Sequence, residues 1–115
     1  MDVRQCDIWL ADLREPIGSE AGFVRPVIIV QADGINVSRL STYLAVPVTG
    51  LLGRSSVPWN LVLSANTAGL GKKSIAQTNL TLTVDDTQLI ERMGSISASQ
   101  LGQLFICLDV ALGRV

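Results

Sequence analysis

The sequence predicts a mainly β structure with a C-terminal helix, arranged as a small, curled and mostly antiparallel barrel on which that helix packs. Two observations support this fold class. Short apolar or alternating segments recur up to Ile96, separated by polar stretches with Gly, Pro or Asp, as in strands joined by turns. The apolar spacing then becomes helical. A chain of 115 residues is expected to form one domain, covering residues 1–115.

Two strands with a loop between them are predicted near the start of the chain. In the first, residues 6–13, Ile8 and Trp9 point to opposite faces. Residues 14–24 contain proline and two glycines and are predicted as the loop. Residues 25–31 are almost continuously apolar, so this strand is expected to be buried on both faces. Further strands are predicted at residues 41–49, 59–64, 73–83 and 90–96, with a second polar loop at residues 50–58.

The C-terminal helix is predicted to begin after Ser97. Ser97 and Gln100 form a capping box, in which the serine hydroxyl accepts from a free backbone N–H and the glutamine reaches back. Gly113 stands where such a helix ends. The predicted apolar face consists of Leu101, Leu104, Phe105, Leu108, Ala111 and Leu112.

The composition predicts a cytoplasmic protein without a membrane partner. Hydrophobic residues make up 48% of the chain, too many for a disordered protein. No apolar run approaches the roughly 18 residues that a membrane span requires, and the first residues lack the apolar stretch of a secretory signal. Because disulfides are rare in the cytosol, Cys6 and Cys107 are expected to be buried free thiols.

Positive charge is confined to the middle of the sequence, although the net charge is −1. Residues 25–84 contain five basic residues against Asp33 alone, whereas acidic residues outnumber basic ones in residues 1–24 and 85–115. This distribution allows a local basic groove on an acidic protein, as binding of nucleic acid would require. It is equally explained by acidic residues that merely cluster near the two ends.

The residue types present restrict the chemistry that a site can perform. The chain has no histidine, the usual general base and the commonest metal ligand. No metal-ligand spacing or phosphate-binding glycine loop occurs, so no metal or cofactor is expected. An enzyme of this composition has to work through Arg, Lys, Glu, Ser or Thr. These residue types suffice for RNA cleavage, because the 2′-hydroxyl of RNA itself attacks the neighbouring phosphate. The protein then only has to align the attack, stabilise charge and handle two protons.

Arg25 and Thr49 are the two residues that best suit this chemistry. Arg25 begins an apolar strand directly after a glycine-containing loop, and a fixed guanidinium there can hold a phosphate with two hydrogen bonds. Thr49 ends a strand, and its hydroxyl can donate to the same oxygens. Glu20 is interpreted as the residue that orients Arg25 and shares proton transfer. The alternative is that Arg25 only forms a structural ion pair with Glu20 or Asp12.

Several motifs together resemble the MazF/PemK/Kid family of bacterial toxins. Two pairs of motifs are the most specific: Asp7-Ile-Trp9 with Gly18-Ser-Glu20, and Arg25-Pro26 with Pro47-Val-Thr49. The similarity continues through weaker matches into the terminal helix and so covers nearly the whole chain. The weaker matches are Leu61-Val-Leu-Ser64, Gln77 and Met93-Gly94.

The resemblance implies a fold, an activity and partners. The fold is the SH3-like curled barrel of the CcdB, MazF and Kid proteins. The activity is that of a type II toxin, a sequence-selective and metal-independent endoribonuclease (an mRNA interferase) that leaves 2′,3′-cyclic phosphate and 5′-hydroxyl ends. The implied catalytic residues are Arg25 and Thr49. The implied partners are a second copy of the chain, single-stranded RNA, and a MazE-like antitoxin with a disordered acidic C-terminal segment. Residues expected to contact RNA are Arg54, Ser55, Ser56, Lys72, Lys73 and Gln77.

The sequence departs from the family pattern around Gln77. Many members have an acidic residue just before this glutamine, and some have a basic residue two positions before that acid, where this chain has Ala76 and Ser74. Members often have arginine two positions after the glutamine, where this chain has Asn79. The acid–base pair of those members is missing, so catalysis would fall to Arg25, Thr49 and Glu20, and could be slow, narrowly specific or lost.

Two non-catalytic alternatives remain open from the sequence. One is a degenerate relative that only binds RNA or an antitoxin, as the alanine and serine near Gln77 suggest. The other is a gyrase inhibitor of the CcdB type. CcdB proteins use a Trp-Gly-Ile type of C-terminus, whereas this chain ends in Leu112-Gly-Arg-Val115, which counts against that option.

Overall fold

The computed structural model describes residues 2–53, 55–67 and 69–115. These ranges contain seven strands, two α-helices and two short 3-10 turns. The strands are β1 (Asp7–Asp12), β2 (Val24–Ile29), β3 (Thr42–Thr49), β4 (Asn60–Leu63), β5 (Ser74–Gln77), β6 (Leu82–Asp85) and β7 (Leu89–Ser95). The helices are α1 (Asp33–Asn36) and α2 (Ala98–Ala111), and the 3-10 turns are Thr78–Leu80 and Asp86–Gln88.

The strands form one curled antiparallel sheet in the order β4-β5-β3-β2-β1-β7, with β6 on β3. Strand β3 joins two parts of this sheet, because its first residues pair with β6 and its last two pair with β5. The predicted curled β fold with a C-terminal helix is confirmed. Within the described residues β4 and β7, the two ends of the sheet, are not paired with each other, so the predicted barrel is not closed.

Buried apolar side chains form two clusters on opposite faces of the sheet. Strand β2 supplies both, with Val27 and Ile29 in the first cluster and Ile28 in the second, as the alternation of a strand requires. The predicted burial of this strand on both faces is confirmed. Helix α2 covers the second cluster, where Leu104 is fully buried.

Helix α2 begins where the capping box predicts. The Ser97 hydroxyl accepts from the backbone N–H of Gln100 over 3.1 Å, and the Gln100 side chain accepts from the backbone N–H of Ser97 over 2.8 Å. The predicted apolar face is partly wrong. Leu101, Leu104 and Leu108 pack on the second cluster, whereas Phe105, Ala111 and Leu112 are exposed. The buried face is rotated towards Cys107, which is buried in place of Phe105.

The prediction of one strand over residues 73–83 is wrong, because a 3-10 turn separates β5 from β6. The hydroxyl of Thr78 donates to the carbonyl oxygen of Trp59, and the hydroxyl of Thr81 donates to that of Thr78. Such bonds from side chain to backbone compete with the ladder of a sheet. The chain therefore leaves β5 at Gln77 and returns to the sheet on the other part of β3.

Both cysteines are free, as predicted. Cys107 is buried, whereas Cys6 is only half-buried, so its predicted burial is partly wrong. Burial raises the pKa of both thiols above the ordinary value. Among the described residues, no helix has the length and apolar character needed to cross a membrane.

Candidate active site

The fold brings Arg25 and Thr49 together at one end of the sheet. Strands β2 and β3 are antiparallel, with Val27 opposite Pro47. Continuing this register by two residues sets Arg25 opposite Thr49, and opposite residues of an antiparallel pair point to the same face. Both residues line a cavity of about 340 Å³ at the edge of the first apolar cluster.

Arg25 is positioned by the backbone of the preceding loop. Its Nε donates to the carbonyl oxygen of Gly22 over 2.9 Å, and the side chain is half-buried. Within the described residues Arg25 forms no ion pair with Glu20 or Asp12. The ion pair by which Glu20 was expected to orient Arg25 is therefore not formed in this structure, and neither is the alternative structural pair with Asp12. The two terminal amino groups of the guanidinium remain available to a ligand.

Glu20 lines the same cavity as Arg25. Its Oε1 accepts from the backbone N–H of Ile17 over 2.7 Å, which fixes the carboxylate within the turn of the loop. Among the described residues Oε2 has no partner. A carboxylate held through one oxygen keeps the other for a proton or a hydroxyl group.

The hydroxyl of Thr49 is oriented by the chain that follows it. Its oxygen accepts from the backbone N–H of Leu51 over 3.2 Å. A hydroxyl that accepts at one lone pair still has its own hydrogen to donate. Thr49 is half-buried and lines the same cavity as Arg25, so its hydroxyl can donate to a ligand bound there.

A second cavity of about 240 Å³ shares Arg25 and Thr49 with the first. Lys72 contributes positive charge to it and lies against Gly50, where an added Cβ would be only 2.8 Å from the Lys72 Nζ. Lys73 is exposed and does not line this cavity. Of the two predicted lysines, only Lys72 is therefore close to the Arg25 site.

A third cavity of about 230 Å³ continues from the first on the other side. The two share Ser19, Asn60, Gln77 and Leu80, and Trp59 and Asn79 complete the third. The three adjoining cavities form one depression, called the groove below. Arg25 and Thr49 lie between the end lined by Lys72 and the end whose described lining residues carry no charge.

The remaining predicted contacts are placed less favourably, and three groove residues were missed. Ser55 and Ser56 lie outside the linings of the three cavities, and Arg54 lies outside the described residues. Asn60, Trp59 and Asn79 were not predicted as contacts. Asn60 is paired with Gln77 between β4 and β5, and this pairing of distant segments has no local motif that would reveal it.

Ala76 faces away from the 340 Å³ cavity. It is fully buried in the second apolar cluster, while its neighbours Ile75 and Gln77 line the cavity. The absence of an acid at position 76 therefore removes no charged group from the space between Arg25 and Glu20.

Comparison with known proteins identifies the family. The model of the family described as "PemK-like, MazF-like toxin of type II toxin-antitoxin system" matches residues 4–112. The chain belongs to this family. Among the curated members, it is 33% identical over 115 residues to Endoribonuclease MazF6 of Mycobacterium tuberculosis, covering all of this chain and 97% of that protein. It is 29% identical to Endoribonuclease MazF of Staphylococcus saprophyticus, covering 96% of this chain and 92% of the other.

Solved structures of the PemK/MazF family share the fold. MazF from Deinococcus radiodurans superimposes with a TM-score of 0.80 at 19% identity, covering 98% of each chain. A mycobacterial endoribonuclease, solved in complex with its cognate antitoxin, superimposes with a TM-score of 0.79 at 16% identity, covering 98% of this chain and 97% of the other. At these identities the likeness establishes the curled β fold.

Proposed function

We propose that this chain is the toxin of a type II toxin–antitoxin system, a sequence-selective endoribonuclease that cleaves single-stranded RNA without a metal ion. The observation that carries the proposal is the placement of Arg25 opposite Thr49 at one cavity, with Glu20 on its wall. Membership of the PemK/MazF family and the relatives named as endoribonucleases support it.

In the proposed reaction RNA supplies its own nucleophile. The 2′ oxygen forms a bond to the adjacent phosphorus, and the bond from phosphorus to the 5′ oxygen of the next nucleotide breaks. Charge grows on the non-bridging oxygens during this step. The terminal amino groups of Arg25 and the hydroxyl of Thr49 donate hydrogen bonds to those oxygens, which lowers the barrier because the donors are already in place.

Two protons have to move in this reaction. Glu20 accepts the proton of the attacking 2′-hydroxyl through Oε2, the oxygen that Ile17 leaves unused. The departing 5′ oxygen takes a proton from solvent. The products are a 2′,3′-cyclic phosphate and a 5′-hydroxyl. Among the described residues no three His, Cys, Asp or Glu side chains are grouped as metal ligands.

The products and the metal requirement test this chemistry. Purified protein is incubated with a mixed RNA pool in the presence of EDTA, and the fragment ends are mapped. We expect cleavage to persist, with 5′-hydroxyl and cyclic phosphate ends at a restricted set of sequences. A strict need for Mg²⁺, or fragments with 3′-hydroxyl ends, would indicate a different mechanism.

Substitutions at Arg25 and Thr49 test the roles of the two donors. Arg25→Lys keeps a positive charge but loses the planar fork, and we expect kcat to fall by at least about 100-fold. Arg39→Lys, at an exposed arginine after α1, is the matched control. Thr49→Val removes the hydroxyl at nearly constant volume and should also lower kcat, whereas Thr49→Ser should retain most activity. Equal rates for Thr49→Val and Thr49→Ser would remove this residue from the mechanism.

We further propose that the protein acts in the cytoplasm as a homodimer and is inhibited by an antitoxin with a disordered acidic segment. Apolar side chains beside the groove favour a protein partner, since Ile17, Phe23 and Leu51 are 83%, 61% and 82% exposed. The positive charges of Lys72 and Arg25, which line one cavity, favour binding of an acidic peptide. Sedimentation at micromolar concentration should give twice the monomer mass. We expect the antitoxin to bind in the groove that binds RNA. A complex with antitoxin that cleaves RNA at the rate of the free protein would contradict this.

A further inference from the structure

The first cavity, of about 340 Å³, and the second, of about 240 Å³, meet at Arg25 and Thr49 from opposite faces of the sheet. Successive residues of a strand point to opposite faces. Pro26 and Val48 line the second cavity and not the first, whereas Ile75, which pairs with Thr49, lines the first and not the second. A phosphate held by Arg25 and Thr49 is therefore open to groups from both faces.

Each of these two cavities contains one further charged residue. Apart from Arg25, the charged residue in the described lining of the first cavity is Glu20, and that in the second is Lys72. A carboxylate and an ammonium group therefore lie on opposite sides of the Arg25–Thr49 pair. Displacement at phosphorus needs such an arrangement, because the attacking and the leaving oxygen lie roughly in line on opposite sides of the phosphorus. With the attacking oxygen beside Glu20, the leaving oxygen points towards Lys72.

The position of Lys72 is set by contacts of its side chain and of its backbone. Its ammonium lies against Gly50, the residue after Thr49, since a Cβ added at Gly50 would be 2.8 Å from both Cε and Nζ of Lys72. The buried hydroxyl of Ser74 donates to the carbonyl oxygen of Lys72 over 3.0 Å. Within the described residues the ammonium makes no hydrogen bond or ion pair. Its donors are therefore available to a ligand in the second cavity.

From this arrangement we infer that Lys72 is a catalytic residue that protonates the leaving oxygen. The inference rests on the proposed function and names the group through which the proton from solvent reaches that oxygen. As the bond from phosphorus to the 5′ oxygen breaks, its electron pair stays on the oxygen, which takes a proton from the ammonium. The resulting amine takes a proton from solvent, to which Lys72 is exposed. Glu20 returns to solvent the proton that it accepted from the 2′-hydroxyl.

The experiment replaces the leaving oxygen by sulfur. A short RNA with one mapped cleavage site is made in two forms, one unmodified and one with sulfur in place of the 5′ oxygen at that site. A thiolate leaves without taking up a proton, because thiols ionise near pH values of about 8.5. Cleavage is measured in a single turnover with saturating protein, so that weaker binding of RNA does not enter the rate. The rate without protein is subtracted.

The effect of Lys72→Ala should depend on the leaving atom. We expect the rate to fall by about 100-fold on the oxygen substrate and by about threefold or less on the sulfur substrate. Thr49→Val should slow both substrates by a similar factor, because the non-bridging oxygens need their donor whichever atom leaves. Lys73→Ala is the matched control, with the same change of net charge at an exposed lysine outside the second cavity. It should leave both rates unchanged.

Failure of this inference differs from failure of the proposed function. Equal losses on the two substrates in Lys72→Ala would overturn the role of Lys72 and leave the nuclease proposal in place. So would an unchanged rate on the oxygen substrate. If the unsubstituted protein cleaves no RNA, so that no site can be mapped, the nuclease proposal is overturned and the role of Lys72 with it.

Discussion

The Nε of Arg25 donates to the carbonyl oxygen of Gly22 over 2.9 Å, so the position of the arginine depends on the backbone of the loop before β2. Gly22 is buried, and the ring of Pro16 packs on it. A methyl group at Gly22 would lie 2.6 Å from the Cβ and 2.7 Å from the Cγ of Pro16, closer than carbon atoms can approach. Pro16 or the Gly22 carbonyl would have to move.

Gly22→Ala should therefore lower activity without changing any group that contacts RNA. We expect kcat to fall by about 10- to 100-fold, because small displacements of a charge-stabilising group are costly. The melting temperature should fall as well, because Gly22 is buried against Pro16, so kcat is compared at a temperature at which both variants are folded. Gly34→Ala is the control, because nothing lies within 4 Å of its added Cβ. Equal kcat values for the two variants would show that the loop does not set the position of Arg25.

The sequence predicted those parts of the fold whose causes are local. The start of α2 was correct because Ser97 and Gln100 cap each other within one turn. The break after β5 was missed because the hydroxyl of Thr78 bonds the backbone of Trp59, nineteen positions earlier in the chain. A threonine in an alternating segment gives no indication of such a distant partner.

The same distinction applies to the candidate site. Arg25 and Thr49 could be proposed from motifs at two strand ends, and the register of β2 and β3 then sets them opposite each other. The partner of Arg25 could not be predicted, because it is a backbone carbonyl and any residue at position 22 would supply one. Asn60 was missed because only the pairing of β4 with β5 sets it beside Gln77.

Asp7 is a buried acid whose loss should destabilise the fold. Its Oδ1 accepts from the Nε of Arg92 over 3.0 Å, and its Oδ2 accepts from the backbone N–H of Arg4 and the indole N–H of Trp9. Asp7→Asn removes the negative charge and replaces one of the two carboxylate oxygens by an amino group. That group cannot accept a hydrogen bond, so the donors that faced the lost oxygen have no acceptor. We expect the free energy of unfolding to fall by about 1–3 kcal/mol, as measured by urea denaturation.

Asp2→Asn is the matched control for Asp7→Asn. Asp2 pairs with Arg4 over 3.3 Å, but the two side chains are 78% and 67% exposed, and exposed pairs contribute little. The unfolding free energy of this variant should stay within about 0.5 kcal/mol of the unsubstituted protein. If Asp2→Asn lowered the unfolding free energy as much as Asp7→Asn does, burial of the carboxylate would not decide how much its hydrogen bonds and ion pair stabilise the fold.

Asp85 should make stability depend on pH in the acid range. The backbone N–H and then the hydroxyl of Thr87 donate to its carboxylate and hold the pKa of Asp85 below its ordinary value of 3.8. A lowered pKa in the folded state means that the unfolded chain binds the proton more tightly. The stabilisation is therefore complete above the ordinary value and is lost as pH falls through the lowered one.

The variant Asp85→Asn keeps an acceptor for Thr87 but cannot titrate. In urea denaturation between pH 7 and pH 2.5, its midpoint should fall less steeply below pH 4 than that of the unsubstituted protein, with an unchanged m-value. Asp33 also has a lowered pKa, because the backbone N–H of Gln5 and the side chain of Asn36 donate to it. Part of the acid dependence should therefore remain. Parallel pH profiles for the two proteins would contradict the role of Asp85.

Lys72 and Lys73 are adjacent in sequence, but only Lys72 lines the groove, so the two should differ in RNA binding. Each phosphate contact to single-stranded nucleic acid contributes about 0.7 to the slope of log K against log salt. We expect Lys72→Ala to reduce that slope by about this amount and to weaken binding to single-stranded RNAs of different base composition alike, since a phosphate contact carries no base information. Lys73→Ala, with the same change of net charge, should leave the slope as it is. Equal reductions in the two variants would mean that the summed positive charge of residues 25–84, rather than a defined contact beside Arg25 and Thr49, attracts the RNA.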